Sequence, residues 1–147
     1  MGANDLSKLF IDSGAFIALI DEHDSLHQVS QAFYKALNKR TSLITSLTVV
    51  SETYTWLRYH GSYDLASRFL GIIERSEKTG DLKVILPDED TKSKTHAILK
   101  NYQDQDLSYS DAMSFVILEN MGIDDAFSYD SHFYIIKRIL WPIVKKV

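Results

Sequence analysis

Four short apolar runs, residues 9–11, 43–45, 82–86 and 126–128, are separated by stretches whose apolar residues recur at helical spacing. Strands this short, alternating with helices, call for crossover connections, and crossovers build a parallel sheet covered on both faces. The expected fold is α/β: a three-layer α/β/α sandwich around a central, mostly parallel sheet of about four or five strands. Right-handed crossovers then bring the carboxyl ends of the strands to one edge. The first run stops at a carboxylate: Leu9-Phe10-Ile11 leads into Asp12, Ser13 and Gly14 turn the chain, and residues 15–21 start a helix. An acid just past a central strand stands where open α/β sheets place their ligands.

The 147 residues suit one domain, residues 1–147, with enough chain to bury a core. Two prolines and six glycines leave no room for a flexible linker, and no repeat or low-complexity segment interrupts the pattern. The formal net charge of −4 argues against strong non-specific nucleic-acid binding, while allowing acids at one site and bases around its rim. The absence of cysteine rules out disulfides and thiolate metal sites and fits a reducing, cytoplasmic setting. MGANDLSKLF lacks the charged and apolar regions of a signal peptide, and no stretch is apolar enough to span a bilayer, so no membrane partner is expected.

Between the strands, Ser25 is a plausible cap for a helix carrying Val29, Ala32, Phe33, Ala36 and Leu37. Ser46 or Thr48 opens a helix to about His60, with Leu47, Val50, Tyr54 and Leu57 as its apolar stripe and Gly61 at its end. Residues 63–77 form a helix with Leu65, Phe69, Ile72 and Ile73 inward. Residues 88–101 form a polar helix with Ala97, Ile98 and Tyr102 inward. Ser110 is expected to cap a largely buried helix over 111–120, ended by Gly122. Residues 139–143 read as an edge strand, since Pro142 suits an edge better than a centre.

Asp12 and Asp130 follow the first and fourth strands, Asp111 lies in the first turn of a helix starting from the same edge, and Glu52 is near the start of the helix after the second strand. Each has an ordinary structural use as well. Asp12 could cap a helix, Asp111 could face a helix dipole, Glu52 could be solvated and Asp130 could serve a turn. Four carboxylates within a few ångströms cannot all stay ionised unless a cation joins them or some take up protons. Oxygen-only clusters suit Mg²⁺ or Mn²⁺, which lower the pKa of a bound water and offset charge on phosphoryl oxygens. Phosphodiester hydrolysis needs both.

FIDSGAFIALID, TSLTVVSETYTWLR and LSYSDAMSFVILENMGIDDAFSYDSHF resemble the PIN-domain family, most closely its VapC-like toxin branch, over nearly the whole chain. The likeness lies in four acids in order, each in its expected setting. It implies a metal-dependent endoribonuclease, with Mg²⁺ or Mn²⁺ as cofactor, that leaves a 5′-phosphate and a 3′-hydroxyl. Carried over by position, Asp12, Glu52 and Asp111 match the principal metal-binding acids and Asp130 the fourth, more variable one. Asp12 and Asp111 would hold the ion directly or through water, Glu52 would orient or deprotonate the attacking water, and Asp130 would complete the cluster. Ser13 and Ser128 keep the hydroxyl where threonine is common and would support the carboxylates. The partners implied are RNA, an antitoxin protein that inserts a segment beside the catalytic edge, and a second copy of the chain in a homodimer. A stand-alone PIN nuclease and a non-catalytic binding module are the alternatives.

The five histidines, His23, His27, His60, His96 and His132, read as surface residues; His132 is near enough to Asp130 in sequence to reach the site. Lys35, Lys39 and Arg40 form a basic cluster that suits a solvated helix end or, with Arg58, RNA phosphates at the rim. Tyr54, Trp56, Tyr59 and Tyr63 could stack bases or serve an interface. Glu119 reads as helix surface, and Lys137-Arg138 and Lys145-Lys146 as a solubilising tail.

Overall fold

The computed structural model describes residue 2 and residues 5–143, so Lys145 and Lys146 lie outside the described residues. Five parallel strands form one sheet: β1 (Lys8–Ile11), β2 (Ser42–Ser46), β3 (Leu82–Ile85), β4 (Asp125–Phe127) and β5 (Ile139–Trp141), in the order β3-β2-β1-β4-β5. Central β1 is covered on both faces, so Leu9, Phe10 and Ile11 are all buried in succession without alternation. At the β3 edge, Leu82 is buried and Lys83 exposed. β5 is a three-residue edge strand with Pro142 just beyond it, as the sequence suggested.

The helices are α1 (Ser13–Ile20) and α2 (His27–Ala36) between β1 and β2, α3 (Leu47–His60) and α4 (Tyr63–Thr79) between β2 and β3, and α5 (Glu89–Asn101) and α6 (Tyr109–Met121) between β3 and β4. A 3₁₀ helix, Ser131–Ile136, leads into β5. From β1 to β3 the chain steps across the sheet in one direction, then returns past β1 to β4. Right-handed crossovers therefore put α1–α4 on one face and α5–α6 on the other. The packing agrees: α1 touches α2 and α3, α3 touches α4, and α5 packs along α6. The reversal of direction falls between β1 and β4, and that switch point is where such sheets open a ligand crevice.

One continuous core joins both layers to the sheet. Phe33 packs edge-on to Phe127 with ring centroids 4.8 Å apart and stacks on Trp141 at 5.9 Å. Phe115 meets Phe133 edge-on at 5.3 Å, tying α6 to the 3₁₀ helix. Gly80 and Gly122 end α4 and α6 with positive φ, which side chains resist.

Several local expectations are corrected. Ser25 caps nothing: α2 starts at His27, and Asp24 Oδ1 accepts the Leu26 amide at 2.8 Å, making the turn. In α2 only Ser30 and Phe33 are buried, while Val29, Ala32 and Ala36 face solvent. Ser46, not Thr48, caps α3. Because α3 begins directly after β2, Leu47 points outward and Val49 and Thr53 join Val50 and Leu57 in the core. In α4, Ala66 is buried where Ile72 was expected, and Ile72 is 38% exposed. Ala97 of α5 is exposed. Thr91 and Thr95 take the buried face, with the Thr95 hydroxyl donating to the Thr91 carbonyl at 2.7 Å. Satisfying the hydroxyl inside its own helix removes the penalty for burying it. Arg138 is no solubilising residue. Its guanidinium donates to the carbonyls of Ile123 and Ile136 and to Glu119 Oε1, so it staples β5 to the end of α6. Among the described residues no helix is long and apolar enough to cross a membrane.

Candidate active site

Asp12 is placed by the sheet itself. Its amide donates to the Phe127 carbonyl at 3.0 Å, extending the β1–β4 pairing by one residue. Asp12 stands at the N-cap position of α1, yet its side chain makes no capping bond. Its Oδ2 instead accepts from the Ser128 hydroxyl at 2.9 Å. The Ser128 oxygen in turn accepts the Asp130 amide at 3.0 Å. One serine thus fixes both the acid after β1 and the backbone of the acid after β4.

Glu52 lies one and a half turns into α3, on its exposed side, and its Oε1 accepts from the hydroxyl of Ser13. Asp111 is held by a capping box. The Ser108 hydroxyl accepts the Asp111 amide at 3.0 Å, and Asp111 Oδ2 accepts the Ser108 amide at 3.1 Å. Ser108, not Ser110, is therefore the cap. Ser110 lies inside α6 with its hydroxyl buried and unpartnered. Asp130 Oδ1 accepts the His132 amide at 2.9 Å, capping the 3₁₀ helix.

Each acid is thus tethered by at least one hydrogen bond. Among the described residues, Glu52 is held through Oε1 alone. No lysine or arginine among the described residues forms an ion pair with any of the four. The structural uses weighed for Asp111 and Asp130 are real, but each occupies only one side of the carboxylate.

The electrostatics follow from this crowding. Asp12 is 6% exposed, and burial pushes its pKa from 3.8 up to about 7. The Ser128 hydroxyl and Ser13 amide pull it down, and the charges of Asp111 and Glu52 push it further up. Burial also raises the Asp111 carboxyl, against the Ser108 amide and with the help of the Asp130 charge. Asp12 thus feels the charges of Asp111 and Glu52, and Asp111 that of Asp130, so the acids are neighbours, but Asp12 and Glu52 are not within the 4.8 Å grouping that holds Asp111 and Asp130.

His132 joins them, although sequence reading favoured the surface for it. Its Nδ1 is 2.8 Å from Asp130 Oδ1 and 3.9 Å from Asp111 Oδ2. The close approach to Asp130 lacks hydrogen-bond alignment, so this buried nitrogen has no partner. Asp111, Asp130 and His132 each offer one atom within 4.8 Å of the others, a spacing that one ion could bridge. The S-x-D-x-H run at 128–132 is the signal that could have found it, because a residue two past a capping acid turns back toward it.

The donor set fits a divalent ion. A buried carboxylate pushed toward protonation, the acids beside it and an imidazole nitrogen within 4.8 Å of two of them are what a divalent cation would satisfy. Ser108→Ala tests how far the cap supports this geometry. It removes one bond of the capping box and is expected to cost about 1 kcal/mol in denaturant unfolding.

A parallel sheet with acids at its switch point defines an open α/β class with a ligand crevice, and the sequence places the chain within it more narrowly. The PIN domain profile matches residues 9–139, and the chain belongs to the PIN-domain family. The fold is similar to that of VapC20 from Mycobacterium tuberculosis, described as a toxin cleaving the sarcin–ricin loop. The TM-score is 0.80 at 21% identity, over 89% of this chain and 96% of that one. It is also similar to VapBC2 from Rickettsia felis, solved on a DNA fragment from its promoter. Here the TM-score is 0.57 at 13% identity, over 90% of this chain and 96% of that one. No curated protein sequence matches the chain significantly.

Proposed function

We propose that this chain is a single-domain, metal-dependent endoribonuclease and the toxin half of a toxin–antitoxin pair. The reading is supported by Asp111 and Asp130 lying close enough with His132 to share an ion, and by Asp12, which feels the charges of Asp111 and Glu52, in a chain of the PIN-domain family.

Asp12, Asp111 and Asp130 would hold Mg²⁺ or Mn²⁺, with His132 adding a nitrogen from the same side. A divalent ion there supplies charge neutralisation for the carboxylates and for the phosphoryl oxygens of a bound RNA. Glu52 is exposed, and Ser13 fixes one of its oxygens. Its free oxygen would accept the proton of the water that attacks phosphorus. Ser128 keeps Asp12 and Asp130 in register, and Ser13 does the same for Glu52. Supporting bonds of this kind limit the reorganisation needed when charge develops.

An apolar groove of about 230 Å³ lies between α1, α2 and α4, lined by Phe16, Leu19, Ile20, Phe69, Ile72 and Ile73. The outward turn of Ile72 contributes to it. A helix or strand of an antitoxin would bury its apolar side there. Tyr59 is 80% exposed, and Tyr63 is 62% exposed beneath the Arg58 guanidinium. Aromatic surface of this kind suits pairing of two copies.

The test is RNA cleavage by purified protein with Mn²⁺, with Mg²⁺ and with chelator, for wild type and Asp111→Asn. Cleavage that needs the ion and is lost in the variant supports the nuclease. Absence of cleavage under every ion condition, in protein that is folded, would reject it. Growth arrest on expression, relieved by a neighbouring antitoxin gene, tests the toxin assignment separately.

A further inference from the structure

The cluster of Lys35, Lys39 and Arg40 is not at the catalytic rim. It lies at the opposite edge, where the strands begin, and two more cations complete it. Lys8 opens β1 and Lys83 sits near the start of β3, so all five line one groove of about 840 Å³ with Asp81 as its single acid. Asp81 is already engaged, accepting from the Thr79 hydroxyl at 2.9 Å. Among the described residues none of the five cations is ion-paired, whereas Lys92, Lys94 and Arg138 elsewhere are. The groove is thus a local surplus of positive charge in a chain whose net charge is −4.

We propose that this amino-edge groove holds the phosphate backbone of the RNA substrate, away from the bond that is cut. The inference rests on the ribonuclease reading for the identity of the polyanion. Lys35, Lys39 and Lys83 offer point charges on flexible stems, Arg40 a planar guanidinium, and Lys8 an ammonium already donating to the Met121 carbonyl at 2.9 Å, a set that suits a phosphate track without base readout. Asn38 and Ser42 add polar wall between them. β1 is four residues long, so at about 3.3 Å per residue Lys8 and Asp12 are roughly 13 Å apart along the strand. A strand of several nucleotides can therefore touch both edges, and a very short one cannot. Holding a long RNA at both edges makes the second contact intramolecular, which raises affinity without any new contact at the cleavage site.

The probe is a fluorescent single-stranded RNA of about 20 nucleotides, bound in chelator while salt is raised from roughly 50 to 300 mM. The test variant is Lys39→Ala/Arg40→Ala/Lys83→Ala, all exposed positions. The control is Lys92→Ala/Lys94→Ala/Lys100→Ala on α5, which removes the same charge elsewhere. The groove variant is expected to bind at least about 10-fold more weakly, with the salt slope reduced by about 2, and the control to stay near wild type. With Mn²⁺ present, KM for the long RNA rises and cleavage of a very short oligonucleotide is unchanged. Should the triple variant unfold, Lys39→Ala/Arg40→Ala, confined to the 37–41 connection, is expected to lower the slope by about 1.

Wild-type RNA affinity in the groove variant overturns the proposal, including the case where an acidic polyglutamate peptide is the ligand that loses affinity. If wild type cuts no RNA but the groove variant still loses binding, the nuclease reading fails and the groove stands. If wild type cuts RNA and the groove variant binds normally, the reverse holds.

Discussion

Asp12→Asn is expected to lower RNA cleavage about a thousandfold, roughly 4 kcal/mol of transition-state stabilisation, while making the metal-free protein more stable at neutral pH. The two effects have one cause. Asp12 is buried among other acids, and its carboxyl titrates near 7 in the folded protein against 3.8 as a free side chain. Between those values the folded chain keeps a proton that the unfolded chain releases, so the stability of the metal-free wild type falls as pH rises from about 4 to about 7. Above pH 7 the full difference applies, on the order of 2–4 kcal/mol. Asparagine has nothing to ionise and can still accept the Ser128 hydroxyl through its amide oxygen. The variant should therefore melt roughly 5–15 °C higher than wild type near pH 8 without metal, and converge with it near pH 4. Thermal unfolding of both proteins across that range, in chelator, reads this directly. Parallel curves at all pH values would remove the charge from the explanation.

Mn²⁺ or Mg²⁺ should reverse that penalty in wild type only. An ion at about 100 times its Kd adds roughly 2.7 kcal/mol to the folded state. Binding requires deprotonated carboxylates, so below pH 7 affinity should fall by about tenfold for each further pH unit, as the Asp12 proton must be displaced. The sign is opposite to the metal-free trend: rising pH destabilises the empty protein and strengthens its hold on the ion. Calorimetric titration at several pH values, in buffers of different ionisation enthalpy, reads both the affinity and the proton released. Asp12→Asn should release fewer, the raised Asp111 carboxyl being the proton source that is left. Equal proton release from the two proteins would locate the titrating group elsewhere.

Much of this arrangement is legible in the chain. The run Leu9-Phe10-Ile11-Asp12 announces a buried central strand and the acid at its end, because a strand covered on both faces cannot alternate. The five parallel strands and the edge position of β5 follow from the same pattern and from Pro142. Rotations of helices about their axes are less legible. Leu47 is apolar but starts α3 where no neighbour covers it, and Ala97 loses the buried face to two threonines that bond within their own helix. Sequence spacing records which residues share a face, but not which face the sheet will meet. Ser108 was readable as a capping box with aspartate at its third position, and Ser110 drew attention only by standing next to Asp111. His132 and Arg138 depend on the path of the chain after β4, where a 3₁₀ turn sends one side chain to the acids and the other against the end of α6.

Growth of crystals with Mn²⁺ and collection at its absorption edge is the most direct measurement of where the ion sits. An anomalous peak coordinated by Asp12 and Asp111, with Asp130 or His132 beside it, is the expected result. A peak on other residues, or an empty acid cluster in protein that still cuts RNA with Mn²⁺, would contradict it.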